Sequence, residues 1–150
     1  MTLDVEKAFD QVHHTALFEA LLNIGVETYA VTTLRKLYYD SSAYVALQQG
    51  ATSRCFSVQR GVRQGDPLSP LLFNLVLDGV LKEASAICRR RGYKTNVGQE
   101  IGGSRLTHVA FADDQTLLSR SWLSMKRMIL SLKTALAHRG LSLHPLKCQV

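Results

Sequence analysis

The chain has 150 residues, 46% apolar and 20% charged, and its 18 Lys+Arg against 12 Asp+Glu leave a formal net charge of +6. Folding at this length buries roughly two-thirds of the surface the unfolded chain exposes, so one domain over 1–150 can build a core without disulfides or a structural metal. That excludes a disordered chain and a disulfide-stapled miniprotein, and the basic excess points to polyanionic partners, nucleic acid first.

Thr2-Leu3-Asp4-Val5 reads as a short strand, followed by a turn and a helix from about Thr15 to Ile24 that Gly25 stops. A second helix is expected over Tyr29 to Tyr39. Ser42 to Leu47 and Cys55 to Val58 read as two strands joined around Gly50, and Gly61 to Pro67 as a loop. From Leu68 to Arg91 apolar residues recur at helical spacing, with Arg89-Arg90-Arg91-Gly92 as a cationic end and a glycine stop. Its start is open between Asp66-Pro67 and Ser69-Pro70, each a capping residue followed by proline. Tyr93 to Val97, Ser104 to Ala112 and Gln115 to Ser119 read as strands, the last two joined at Asp113-Asp114. Trp122, Met125, Ile129, Leu132 and Leu136 mark one apolar face of a final helix that Gly140 ends. Strands mixed with helices predict an α+β domain.

The cysteines Cys55, Cys88 and Cys148 are odd in number and far apart, which fits a reducing, intracellular compartment, with the nucleus compatible. Leu68 to Leu81, the most apolar stretch, is interrupted by Asn74 and Asp78 and is too short to span a bilayer, and no charged-then-apolar leader opens the chain, so no membrane partner is expected. His138, His144 and Cys148 match no zinc spacing. His13, His14 and His108 read as capping or packed residues.

Asp4 and Asp113-Asp114 stand at strand mouths, each flanked by apolar residues. Carboxylates brought together there repel unless a cation neutralises them, so the pattern suggests a magnesium site of the kind used in nucleotidyl transfer. Singly, each Asp reads first as a cap or turn former.

Four blocks in order tip that balance: Leu3-Asp4-Val5-Glu6-Lys7-Ala8-Phe9-Asp10, the run Arg60 to Asn74 containing Gln64-Gly65-Asp66-Pro67-Leu68-Ser69-Pro70, then Phe111-Ala112-Asp113-Asp114, then Gly140 to Lys147. The chain resembles a reverse transcriptase, the blocks being similar to motifs A to D of its palm and closest in kind to the non-LTR (LINE-like) retrotransposon enzymes. The resemblance implies an antiparallel sheet packed on helices, in a partial reverse transcriptase domain lacking fingers and thumb. It implies an RNA-directed DNA polymerase that uses Mg²⁺, an RNA template, a DNA primer and dNTPs, with missing segments that include an endonuclease in some longer polyproteins.

By position, the resemblance makes Asp4 and Asp113 the principal metal carboxylates, Asp114 their neighbour, and Val5 a ligand through its carbonyl. Phe9 falls where the family blocks the sugar 2′-position; its plain alternative is a core aromatic. Gln64 and Gly65 resemble the pair lining the template and nucleotide pocket. Arg63, with Arg60, is placed to meet phosphate or to form a solvated face. Lys147 matches the lysine proposed to protonate the leaving pyrophosphate, and His144 stands where asparagine is usual. The rival readings are a catalytically silent retroelement remnant that only binds nucleic acid, a group II intron maturase-type enzyme, and an RNA-templated RNA polymerase palm.

Overall fold

The computed structural model describes residues 1–39, 41–47, 50–93, 99–101, 104–111 and 114–149. The elements run β1 (Thr2–Asp4), α1 (Ala8–Gln11), α2 (His14–Asn23), α3 (Thr28–Tyr39), β2 (Ser42–Ala43), β3 (Phe56–Ser57), α4 (Leu68–Arg90), β4 (Gln99–Ile101), β5 (Ser104–Leu106), β6 (His108–Phe111), β7 (Asp114–Leu117) and α5 (Trp122–Ala137). β1, β7 and β6 form an antiparallel sheet in that order, and β2–β3 and β4–β5 are separate two-stranded ribbons.

Alternation along the strands sets what this sheet does. Leu3, Val5, Gln115 and Leu117 turn inward and are at most 4% exposed, as period-two side chains require of a sheet with one covered face. They meet the helical layer, whose largest fully buried side chains include Phe18, Phe73, Leu72, Leu132 and Leu136. α4 packs along α5 and α2, and a buried hydrogen bond from Cys88 Sγ to Ser131 Oγ (3.2 Å) ties α4 to α5.

The open start of α4 resolves at Asp66-Pro67. Asp66 Oδ1 accepts from the Leu68 N–H (2.9 Å), while the Ser69 hydroxyl donates to the Arg63 carbonyl (2.5 Å). Pro70 therefore sits inside the first turn, where its missing N–H costs nothing.

Several boundaries depart from the sequence reading. The turn after β1 contains the short helix α1, entered through Lys7 at φ +42°. The two strands expected over 42–47 and 55–58 pair only at Ser42–Ser57 and Ala43–Phe56, with one further bridge between Ala46 and Thr52. Tyr44, Val45 and Phe56 are half-exposed or more, so this ribbon has no apolar face to extend it. The strand expected over 104–112 divides at Thr107 into β5 and β6, which pair with different partners. β7 begins at Asp114 rather than after it and ends at Leu117. Tyr93 lies outside any strand, with Arg127 over its ring at 4.9 Å; the rest of that expected strand, 94–97, lies outside the described residues. Trp122, expected on the buried face of α5, is 55% exposed. It is the first residue of the helix and carries the Lys126 ammonium over its ring at 5.3 Å, while Met125, Met128, Leu132, Ala135 and Leu136 form the buried stripe.

Candidate active site

The outward residues of the same strands build the site. β1 and β7 pair with Asp4 directly opposite Asp114, and directly opposed residues of an antiparallel pair project from the same face as close neighbours. The sheet's buried face thus forces both carboxylates onto the other face. Asp113 lies outside the described residues, as does Ala112.

A fourth segment closes the far edge of β1. The stretch 142–149 runs antiparallel beside it, with Thr2 and Gln149 exchanging backbone hydrogen bonds (2.9 Å each way), the His144 N–H donating to the Asp4 carbonyl (2.8 Å) and the Glu6 N–H to the Ser142 carbonyl (2.8 Å). This satisfies an edge that would otherwise stand open and carries Lys147 to the site. Lys147 Nζ lies 3.4 Å from Asp4 Oδ2, with the carboxylate side chain 17% exposed and the lysine 65% exposed. Val5 is buried and bridges Leu143.

Phe9 on α1 stacks on Phe73 of α4 with centroids 4.9 Å apart and planes 28° from parallel. Its carbonyl accepts from the Val62 N–H (2.7 Å). Gly61, at φ +86°, approaches this backbone so closely that a Cβ would lie 2.9 Å from the Phe9 carbonyl oxygen. The sequence reading passed over Gly61 in favour of Gly65, and only the fold distinguishes them. Gly65, at φ +88°, faces open space, which leaves room for a ligand. Gln64 Nε2 donates to Asp10 Oδ1 (3.2 Å), which fastens the loop before α4 to α1. Arg63 is turned to the end of α3, where its Nη2 donates to the Leu37 carbonyl (2.5 Å) and to Ser41 Oγ (2.6 Å). The structure therefore gathers Asp4, Asp114 and Lys147 at one sheet end, ties α1, which carries Phe9, to the loop that carries Gln64, and holds Arg63 apart at α3.

Asp4 and Asp114 supply hard oxygen donors on one face, and Asp4 already draws a cation to its side chain. Two carboxylates of this kind are donors that a hard divalent cation takes. Away from this site, burial holds the His14 and His108 imidazoles below their usual 6.5, so both are neutral packed groups, as the sequence suggests.

Comparison with known proteins gives the family and the fold. Residues 1–150 match the family model described as reverse transcriptase (RNA-dependent DNA polymerase). The chain is 33% identical over 147 residues to the Pol polyprotein of the type-1 retrotransposable element R2 from Popillia japonica, covering 98% of this chain and 20% of that polyprotein. It is 34% identical over 146 residues to the corresponding R2 polyprotein of Nasonia vitripennis, covering 97% of this chain and 13% of the relative. The chain thus spans a fifth or less of the length of these relatives. Among solved structures, a telomerase from Candida tropicalis superposes with a TM-score of 0.68 at 16% identity, over 97% of this chain and 29% of that one, a likeness of fold. The α+β polymerase palm is the architecture these strands and helices form, and the chain belongs to the reverse transcriptase family, as a domain of the non-LTR retrotransposon type.

Proposed function

We propose that the protein containing this chain extends a DNA primer on an RNA template, joining dNTPs to the primer 3′-hydroxyl. The observation that supports this most is the opposition of Asp4 and Asp114 across β1 and β7, with Lys147 at the same sheet end. Asp4, the Val5 carbonyl and Asp113 would hold Mg²⁺, with Asp114 beside them. A bound divalent ion lowers the pKa of the attacking hydroxyl and neutralises charge on the phosphates.

The remaining work falls to the chain's own groups. Lys147, through its ammonium, donates a proton to the departing pyrophosphate as the new P–O bond forms and the old one breaks. Phe9, backed by Phe73, closes the space a ribose 2′-hydroxyl would need and so favours deoxynucleotides. Gln64 and Gly65 line the nucleotide pocket, glycine leaving the backbone open to the ligand. Arg63, held at α3, keeps further N–H donors for template phosphate.

Primer extension on an RNA template with dNTPs and Mg²⁺ tests this. Extension that is lost in Asp113→Ala, and rNTP incorporation that rises in Phe9→Val, are the expected results. Extension unaffected by Asp113→Ala contradicts the assignment.

A further inference from the structure

Between the bridges that join Val5 to Leu143 and Thr2 to Gln149, β1 contributes two residues, Leu3 and Asp4, while the facing segment contributes five, 144–148. The surplus residues have no strand partner, and 145–147 swell out as a turn. Such an excursion from a sheet edge re-aims a side chain. Here it aims Lys147, whose Nζ lies 3.4 Å from Asp4 Oδ2.

Little packing holds this turn. Leu146 is 90% exposed, Pro145 has no N–H to give, and the lysine side chain stands mostly in solvent. Among the described residues, both hydrogen bonds inside the turn end on His144. Its Nδ1 accepts from the Leu146 N–H (3.3 Å), and its carbonyl accepts from the Cys148 thiol (3.1 Å). The His144 N–H in turn donates to the Asp4 carbonyl (2.8 Å). One half-buried residue therefore joins the backbone of Asp4 to the turn that carries Lys147.

The ring does this by a definite chemistry. A backbone N–H can only donate, so Nδ1 is the ring nitrogen without a proton. Nδ1 stands as many bonds from Cα as the side-chain oxygen of asparagine, whose bond to the N–H two residues on is an ordinary turn former. We propose that His144 is the positioning residue for Lys147, its Nδ1 bond to the Leu146 N–H fixing the turn so that the ammonium stays at the carboxylate face. The inference rests on the polymerase reading for what Lys147 does there, the donation of a proton to pyrophosphate, and on the hydrogen bonds alone for where it stands.

Four forms of the chain test it: wild type, His144→Ala, His144→Phe, which keeps a ring without the acceptor, and His144→Asn, which keeps the acceptor without the ring. The first readout is the Lys147 ammonium resonance in ¹⁵N NMR of the 150-residue chain at low temperature, without metal or dNTPs, identified by its loss in Lys147→Met. In wild type and His144→Asn this resonance should shift when Asp4→Asn is added, because its ion partner is gone. In His144→Ala and His144→Phe the shift should be at least about fivefold smaller, the worth of roughly one hydrogen bond. The second readout is single-turnover primer extension. His144→Ala and His144→Phe should lower the rate at saturating dNTP by about fivefold and leave the half-saturating dNTP concentration within about twofold, and His144→Asn should restore the rate. A His144→Phe chain that matches wild type in the ammonium readout, or a His144→Asn chain that fails there as His144→Ala does, overturns the proposal. Should His144→Ala lose its helical circular dichroism, the Phe and Asn variants decide. Absence of extension in the wild type counts against the polymerase reading, and the ammonium readout then decides this inference by itself.

Discussion

The two faces of the β1–β7–β6 sheet carry opposite chemistry on alternate residues of the same strands. Leu3 and Gln115 oppose each other on the inner face, both at most 1% exposed, while the next pair, Asp4 and Asp114, opposes on the outer face. Register is what separates them, because a slip of one residue would carry the carboxylates into the core and the leucine out. The apolar face therefore acts as the positioning device for the acidic one, and the helices α2, α4 and α5 hold that face in place. Changes to the inner side should cost stability, and changes to the outer side should cost function with little effect on stability.

The largest structural effect is expected from Phe73→Ala, which empties a fully buried site against Phe9. A loss of about 3–5 kcal/mol in urea unfolding is predicted, and a loss below 1 kcal/mol would show that this layer does not support the sheet. Gly140→Ala comes next. Gly140 is at φ +76° and a Cβ there would collide with the His13 ring, so about 1–3 kcal/mol is expected from strain and displacement. Wild-type stability in this variant would contradict the packing of the chain between α5 and the edge of β1.

Acid should separate the faces further. His14 and His108 are held below 6.5 by burial, so the unfolded chain takes up their protons first. Stability is then complete above pH 6.5 and declines as the pH falls below it. Glu83 adds a second step. Burial alone would raise it, but hydrogen bonds from Arg139 and His138, with their charges, hold it below its usual 4.5. Its stabilisation is present above pH 4.5 and is lost as the pH falls through its lower folded value. Thermal unfolding followed from pH 7.5 to about pH 3 should show a melting temperature level down to pH 6.5 and falling below it, and Glu83→Gln should remove the step below pH 4.5. A flat profile would contradict both assignments. The smallest effect belongs to the outer face, where Lys147→Ala breaks a pair whose lysine is largely exposed and should change stability by less than about 1 kcal/mol.

α4 was legible from the sequence because an apolar stripe sustained over 23 residues admits one reading, and the capping chemistry of Asp66 and Ser69 needed the fold only to choose between them. The carboxylates were legible as a set only through the four ordered blocks, since an Asp at a strand mouth is ambiguous alone. What sequence could not carry were contacts between distant residues: the pairing of 142–149 with β1, which brings Lys147 to Asp4, and the approach of Gly61 to Phe9. Trp122 misled because spacing gives a helix face but not where the helix's packing partner ends.

The divalent-ion site proposed at Asp4 rests on the register that sets Asp4 opposite Asp114. The most direct measurement is Mn²⁺ binding to the purified chain by electron paramagnetic resonance, comparing the wild type with Asp4→Asn and with Leu3→Val as a core control. The account predicts that Asp4→Asn weakens binding by at least about tenfold while the fold is unchanged, removal of one carboxylate from a hard-cation site being sufficient. It predicts that Leu3→Val, as long as it stays folded, binds as the wild type does. Equal Mn²⁺ affinity in wild type and Asp4→Asn would contradict it.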